Sequence, residues 1–444
     1  MRPTGNGEAD RATAYAVPTE VLYLVIILWE YLRVFPSSEE SPLAKRIILK
    51  PSRTLAEFRL LPGLTTAAST LDKISLETTL AVHPETGATL SLGIPVMASA
   101  MQSVAGSRMG IAMARLGGAA AIFSSQATAS QADMVRAIKG DPQEQTQDID
   151  DDPHRKPQSM VDDRGRPFAL AAINTHDFRD RVPSLAAAGV DALVIDASDG
   201  YSIFQEATLD FVSERYRDLP VIAGNIITDD AFDYLADHGA WAVKVGMGGG
   251  SICITQEQKG TGRGLASALI DVCERRDRYH EGTGRYVPII ADGGIFTAKD
   301  IVIALAIGAD SVMMGRYFAR MEESPTEKVT VGGRPMKAYW GEGSGRAREW
   351  REARYSQLQF AEGVEGCIPY AGKVADSLDI TLSKIKASMS SCGCATIAEL
   401  HDRAELEIVS ALSIREGDVH DIHAPATSSG SEMETAWAKG HDTR

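Results

Sequence analysis

The sequence predicts an α/β protein built as a (β/α)8 TIM barrel, on three observations. Eight short apolar runs of strand length follow one another from residue 95 onward. Each is followed by glycine or polar residues and then by a stretch long enough for a helix. Most run centres lie 21 to 28 residues apart. Continuous apolar runs, as opposed to alternating ones, are what a parallel sheet covered on both faces requires. Eight of them separated by helix-length segments supply the strands of a closed barrel.

Taken in order, "PVMAS" (95–99) is the first strand and ends at Ser99, and "SRMGIAMARLGG" (107–118) reads as the helix behind it, with glycine to cap it. "AAAIF" (119–123) is the second strand and "FALAAIN" (168–174) the third, ending at Asn174. "ALVIDAS" (192–198) is the fourth and ends in Asp196 and Ser198; "VIAGN" (221–225) is the fifth and ends at Asn225. "WAVKVGM" (241–247) is the sixth and opens into "GMGGGSICITQ" (246–256), which carries Cys253. "VPIIADGG" (287–294) is the seventh, "AKDIVIALAIGA" (298–309) its helix, and "SVMMGR" (311–316) the eighth strand. Two spacings are nearly doubled. The first gap holds "GDPQEQTQDIDDDPHRKPQSMVDDRGRP" (140–167), rich in acid, Pro and Gln and read as a loosely folded surface loop. The second holds the cysteine loop.

Composition bounds the function. The 444 residues are 44% hydrophobic and 24% charged, as in an ordinary soluble globular protein. A formal charge of −15 argues against a nucleic-acid binder, which needs a basic surface, but leaves room for a small anionic ligand at a local site of opposite sign. Five cysteines without a CxxC pair indicate neither a disulfide framework nor a zinc site, and a reducing cytoplasm is the simplest home. The most apolar segment, Val21 to Trp29, is too short for a bilayer, which takes ~20 residues. Glu8, Asp10 and Glu20 ahead of it argue against a signal peptide. It reads as a packed or poorly ordered N-terminal helix, with no membrane partner.

In such a barrel the reactive residues sit at the C-terminal ends of the strands, and phosphate is commonly held after the seventh and eighth. That draws attention to Ser99, Asn174, Asp196 with Ser198, Asn225, the Cys253 loop, Asp292 with Gly293 and Gly294, and Gly315. "ADGG" can offer backbone amides to a phosphate and a carboxylate to ribose hydroxyls, or it can be a tight turn capped by Asp292. Asp196 ends an apolar strand and needs a partner there, a ribose diol or a lysine. Cys253, flanked by Ile252 and Ile254, is either an inert filler or a nucleophile whose thiolate the glycine loop stabilises.

"GMGGGSICITQ" followed by "GTGRG", then "IIADGGI", "SVMMGRYFARMEESP" and "YAGKVADSL", resemble the IMP dehydrogenase and GMP reductase family, and the resemblance runs from "PSRTLAEFRLLPG" (51–63) to "IREGDVHDI" (414–422). It implies that Cys253 attacks C2 of the purine of IMP, that NAD takes the hydride, and that water hydrolyses the resulting Cys253 thioimidate to XMP. Thr255 occupies the position of a hydroxyl beside the reacting base. The implied substrate contacts are Ser99, Ser251, Asp292, Gly294, Gly315, Arg316, Tyr339, Gly341, Glu342, Gly343 and Glu362. On the cofactor side stand Asp196, Ser198, Asn225, Gly246 and Gly248. A potassium ion is implied on the carbonyls of Gly248, Gly250 and Cys253, joined by Glu416 and Gly417 of the partner subunit, and with it a homotetramer.

The same resemblance divides the two branches of the family. The hydrolysing enzymes carry an Arg-Tyr pair on a mobile flap that activates water, and Arg354-Tyr355 falls where that pair is expected. The reductase branch is expected to carry a glutamate where "YWGEGSGRA" has Gly345, with Glu342 nearby but offset. Oxidation of IMP in guanine nucleotide synthesis is therefore the reading. The alternatives are NADPH-dependent reductive deamination of GMP or of a related purine nucleotide, and, further off, a non-catalytic nucleotide-binding barrel. Gln102 stands where many members have aspartate and Arg316 where many have a phosphate-binding serine; either change can retune the substrate while keeping the chemistry. The resulting division is an N-terminal extension (1–50), the first part of the barrel (51–126) and a short acidic insert in place of CBS modules (127–165), so that no nucleotide regulation through such modules is expected. The second part of the barrel (166–325), the flap (326–372), a C-terminal barrel segment (373–423) and a disordered tail (424–444) follow.

Overall fold

The structure, a computed structural model, describes residues 47–140, 160–162, 164–348 and 359–417. The chain divides into two units, Met1–Pro51 and Ser52–Arg444, and every described strand and helix lies in the second.

Three strands precede the barrel: β1 (Phe58–Leu61), β2 (Thr78–Val82) and β3 (Thr89–Leu92). The eight apolar runs then form β4 (Val96–Ala98), β5 (Ala119–Ile122), β6 (Leu170–Ile173), β7 (Ala192–Ile195), β8 (Val221–Ile226), β9 (Ala242–Val245), β10 (Ile289–Asp292) and β11 (Ser311–Met314). Each pairs in parallel with the next and β11 returns to β4, so the sheet closes in sequence order. The fold is the (β/α)8 barrel that the spacing predicts.

Alternation along each strand divides the core in two, because successive side chains point to opposite faces. Met97, Leu170, Ala172, Val194, Ile222, Ile290 and Met313 meet across the barrel axis. Their neighbours Val96, Ala171, Ile173, Leu193, Ile195, Ala291 and Val312 pack outward against the helices, joined there by Met109, Val135, Leu209 and Ile301. Both sets are buried, which is why the runs are continuously apolar. The β2–β3 hairpin closes the N-terminal mouth: Leu80 and Leu92 join the axial core, and the Val82 amide donates to the Trp241 carbonyl at 3.0 Å. The C-terminal mouth is left for chemistry.

The helix Thr128–Ile138 corrects one boundary. It falls within the segment assigned to the acidic insert, yet it buries Ala132, Val135 and Ile138 in the outer core, and Gln131 Nε2 donates to the Ile122 and Ala172 carbonyls, tying β5 to β6. It is the barrel's own helix, and the insert begins after it. Lys139 and Asp162 fasten the two ends of that insert, with Nζ 3.0 Å from Oδ2 of Asp162 and 2.6 Å from Oδ2 of Asp191. Residues 141–159 lie outside the described residues.

Beyond the barrel, β12 (Lys328–Val331), β13 (Arg334–Trp340) and β14 (Glu365–Pro369) form an antiparallel sheet. The helices Val374–Ser391 and Ile397–Arg403 follow, and then β15 (Glu405–Ile408) runs antiparallel to β1, with Phe58 opposite Ile408 and Leu61 opposite Glu405. Among the described residues no helix is long and apolar enough to cross a membrane. The N-terminal apolar run, the flap's Arg354 and Tyr355, and the tail lie outside the described residues.

Candidate active site

A cavity of about 1030 Å³, counting the space open to solvent at its mouth, lies at the C-terminal end of the barrel. Of the residues singled out in the sequence as catalytic, substrate-binding or cofactor-binding, all but Arg354 and Tyr355 line it. Gly248, Gly250 and Cys253 of the implied potassium set line it as well. Glu416 and Gly417 of this chain do not: they end the helix Ala411–Glu416, with the Gly417 backbone beside Arg59.

The cysteine loop leaves β9 at Gly246, whose φ of 143° and approach to Asp292 admit no other residue, since a Cβ would sit 2.0 Å from the Asp292 carbonyl oxygen. Cys253 is held from behind by its own amide, which donates to the Gly250 carbonyl at 3.1 Å. From the side, the loop is stitched to the segment entering β14: the Ile254 amide donates to the Glu362 carbonyl at 3.0 Å and the Val364 amide to the Ile252 carbonyl at 2.9 Å. These bonds bring Glu362 under the cysteine. Cys253 Sγ lies 3.0 Å from Thr255 Oγ1, and Thr255 Oγ1 donates to Glu362 Oε2 at 3.2 Å. A hydroxyl that gives its proton to a carboxylate offers its lone pairs to the thiol, so the three groups form a path for a proton leaving sulphur.

Asp292 is set by two donors on the same oxygen. Lys244 Nζ lies 2.8 Å and Asn225 Nδ2 3.0 Å from Oδ2, and neither contact uses Oδ1. Lys244 is a residue that the sequence reading passed over. It sits inside "WAVKV" at the parity of Ala242, which points to the barrel axis, and its side chain is 2% exposed. A lysine at an inward position of an apolar strand near the C-terminal mouth is the signal that could have found it.

At the other end of the cavity Ser99, Gly315 and Tyr339 converge. A Cβ on Gly315 would lie 3.0 Å from Ser99 Oγ, Tyr339 Oη and Met101 Sδ, so glycine leaves these groups open to the cavity. Burial pushes the Tyr339 phenol well above its ordinary value, and the Ser251 hydrogen bond and the Arg316 guanidinium do not offset it; Tyr339 is a donor at any physiological pH. Ser99 Oγ and Asn225 Oδ1 are both buried without a hydrogen-bond partner, and both belong to residues that line the cavity. Buried polar atoms left in this state are costly unless a ligand satisfies them.

Gln102 and Glu342 are tied into the cavity wall. Gln102 is not among the lining residues: buried, it donates to the Ser125 carbonyl and accepts from Trp340 Nε1 at 3.0 Å, and so braces the wall. Glu342 does line the cavity, but its carboxylate is engaged with the wall, accepting from the Gln102 amide at 2.6 Å and from Ser125 Oγ at 2.5 Å.

Residues 52–420 match the family model described as IMP dehydrogenase / GMP reductase domain. The inosine-5′-monophosphate dehydrogenase of Tritrichomonas foetus is 39% identical, with 84% of this chain and 96% of that protein covered. The protein of the same name from Borreliella burgdorferi is 32% identical, with 84% of this chain and 98% of its own covered. That from Pasteurella multocida is 40% identical over 60% of this chain and 55% of its own. The Tritrichomonas foetus alignment spans 488 positions, more than the 444 residues of this chain, so that relative carries internal residues that this chain skips.

Proposed function

The chain belongs to the IMP dehydrogenase / GMP reductase family, and on that premise we infer that it oxidises IMP to XMP with NAD, in guanine nucleotide synthesis, with Cys253 as its nucleophile. The observation that carries this reading is the path from Cys253 Sγ through Thr255 Oγ1 to Glu362 Oε2 in the cavity at the C-terminal mouth of the barrel. The thiol proton passes to Thr255 as the Thr255 proton passes to Glu362, and Sγ bonds to C2 of the purine while the C2=N3 π pair moves onto N3; with NAD bound to accept it, the C2 hydrogen would leave as hydride as that pair re-forms C2=N3.

The rest of the cavity fits a nucleoside monophosphate. Gly294, Gly315 and Ser251 offer backbone and hydroxyl donors to the phosphate, Tyr339 adds a permanently protonated phenol, and Arg316 adds charge. Ser99 Oγ gains a partner there. With Oδ2 of Asp292 committed to Lys244 and Asn225, Oδ1 accepts from the ribose hydroxyls. The second part of the cavity, beside Asp196, Ser198 and the orphaned Asn225 Oδ1, suits a nicotinamide nucleotide. NAD, when bound there, supplies the hydride acceptor.

The oxidised base remains on Cys253 as a thioimidate. Water adds at C2, the C2–S bond breaks with its electron pair returning to sulphur, and XMP leaves. We assign the delivery of that water to Arg354-Tyr355. The carbonyls of Gly248, Gly250 and Cys253 are hard oxygen donors of the kind that holds an alkali cation. In this chain the Gly248 carbonyl accepts from Gln256 Nε2 and the Gly250 carbonyl from the Cys253 amide. Glu416 and Gly417 of the partner subunit would complete the set, which ties the potassium proposal to a tetramer.

Protein incubated with IMP, NAD and potassium forms NADH and XMP, and Cys253→Ala forms neither. Release of ammonia from GMP with NADPH, without oxidation of IMP, would move the chemistry to the reductive branch.

A further inference from the structure

Glu362 is held from a second side. While Oε2 accepts from Thr255, Oε1 lies 3.5 Å from Lys259 Nζ, and the carboxylate side chain is 2% exposed. Thr255 and Lys259 are the first and last residues of the short helix Thr255–Lys259, four apart and therefore on one face, which is how both reach the same carboxylate. Lys259 Nζ is also 3.3 Å from Asp199 Oδ2, on the loop after β7 and next to Ser198.

Resting on the reading of Cys253 as nucleophile, we propose that Lys259 is a positioning residue. It clamps the far oxygen of Glu362 so that the near oxygen stays on Thr255, and through Asp199 it ties the cofactor-side loop to the proton path. A carboxylate this buried requires a cation to stay in place. Without one it turns toward water or other donors and leaves the Thr255 hydroxyl unaligned. Lys259 lines neither the phosphate nor the ribose end of the cavity, so its removal acts on the chemical step and leaves nucleotide binding alone.

The test uses the full chain and 2-chloroinosine 5′-monophosphate, without NAD. Attack of Sγ at C2 forms the S–C bond, chloride leaves with the electron pair of the C–Cl bond, and the thiol proton goes to the Thr255–Glu362 path. Intact-mass spectrometry follows the Cys253 adduct with time at several probe concentrations. Lys259→Met is expected to lower the limiting rate about tenfold with the half-saturating concentration unchanged, and Lys259→Arg to restore it to within about threefold. Asp199→Asn keeps the lysine and removes its outer anchor; it is expected to lower the rate about two- to threefold, and it carries the test if Lys259→Met does not fold. A limiting rate in Lys259→Met within twofold of the unmodified protein, or no rescue by arginine, overturns the proposal. Absence of any Cys253 adduct in the unmodified protein overturns the nucleophile reading itself.

Discussion

Lys244 Nζ lies 2.8 Å from Asp292 Oδ2, pairing the side chains of two neighbouring strands, β9 and β10, beneath the cavity. A buried pair of this kind is costly to halve, because the remaining charge is left without its counterpart. Lys244→Met is expected to destabilise the fold by about 3 kcal/mol, read by urea unfolding. It is also expected to raise the KM for IMP, since Asp292 loses the contact that orients it. Lys244→Met combined with Asp292→Asn recovers much of the stability but none of the affinity.

Glu362→Gln and Thr255→Ala each interrupt the same proton path. Each is expected to lower kcat by about a hundredfold with the KM for IMP within twofold, and the double variant to be no slower than the worse single one. Additive losses in steady-state assays would show that the two residues act separately.

The cysteines divide by reactivity. Burial pushes the Cys273 thiol up to about 12, and burial raises Cys392 and Cys394 as well. A raised value means that the thiol keeps its proton below that pH, so Cys273 stays protonated at pH 8. Native iodoacetamide labelling at pH 8 is expected to modify the half-buried Cys253 and the exposed Cys367, and IMP to protect Cys253 alone. Peptide mapping reads the outcome, and labelling of Cys273 requires denaturant.

Arg354→Ala removes the residue assigned to water delivery and leaves the earlier steps intact. One equivalent of NADH per active site is expected in a burst, followed by slow turnover, with the purine retained on Cys253 in the mass spectrum. A uniform slowing with no retained adduct would place Arg354 before hydride transfer.

Gly315→Ala inserts a methyl group 3.0 Å from Ser99 Oγ, Tyr339 Oη and Met101 Sδ, where the proposed phosphate contacts converge. The KM for IMP is expected to rise about tenfold, equivalent to ~1.4 kcal/mol, with kcat little changed.

The barrel was legible because strands covered on both faces leave continuous apolar runs, and β4 to β11 left eight of them at nearly regular spacing. The residues of the cavity were legible through glycine patterns and family motifs. Long-range pairings were not. Lys244 shows its use only when the sheet closes and sets it beside Asp292, 48 positions on. The contact of Thr255 with Glu362 bridges 107 positions and depends on the backbone bonds between the cysteine loop and the approach to β14. The hydrogen bonds that tie the Glu342 carboxylate to Ser125 and the Gln102 amide to Trp340 were likewise invisible in the sequence, because their partners lie more than two hundred positions away. The helix Thr128–Ile138 was absorbed into the insert because an acidic, proline-rich stretch follows it directly.

The pairing of β1 with β15 has a bearing on biosynthesis. Phe58–Leu61 is made early, yet its partner Glu405–Ile408 is translated only after every barrel strand and the sheet beyond them. During that interval β1 is an open edge able to pair with another nascent chain. A product stopped short of residue 405 keeps all eight barrel strands and is still expected to be withdrawn by chaperones or to aggregate, which pulse-labelling of truncated chains would reveal.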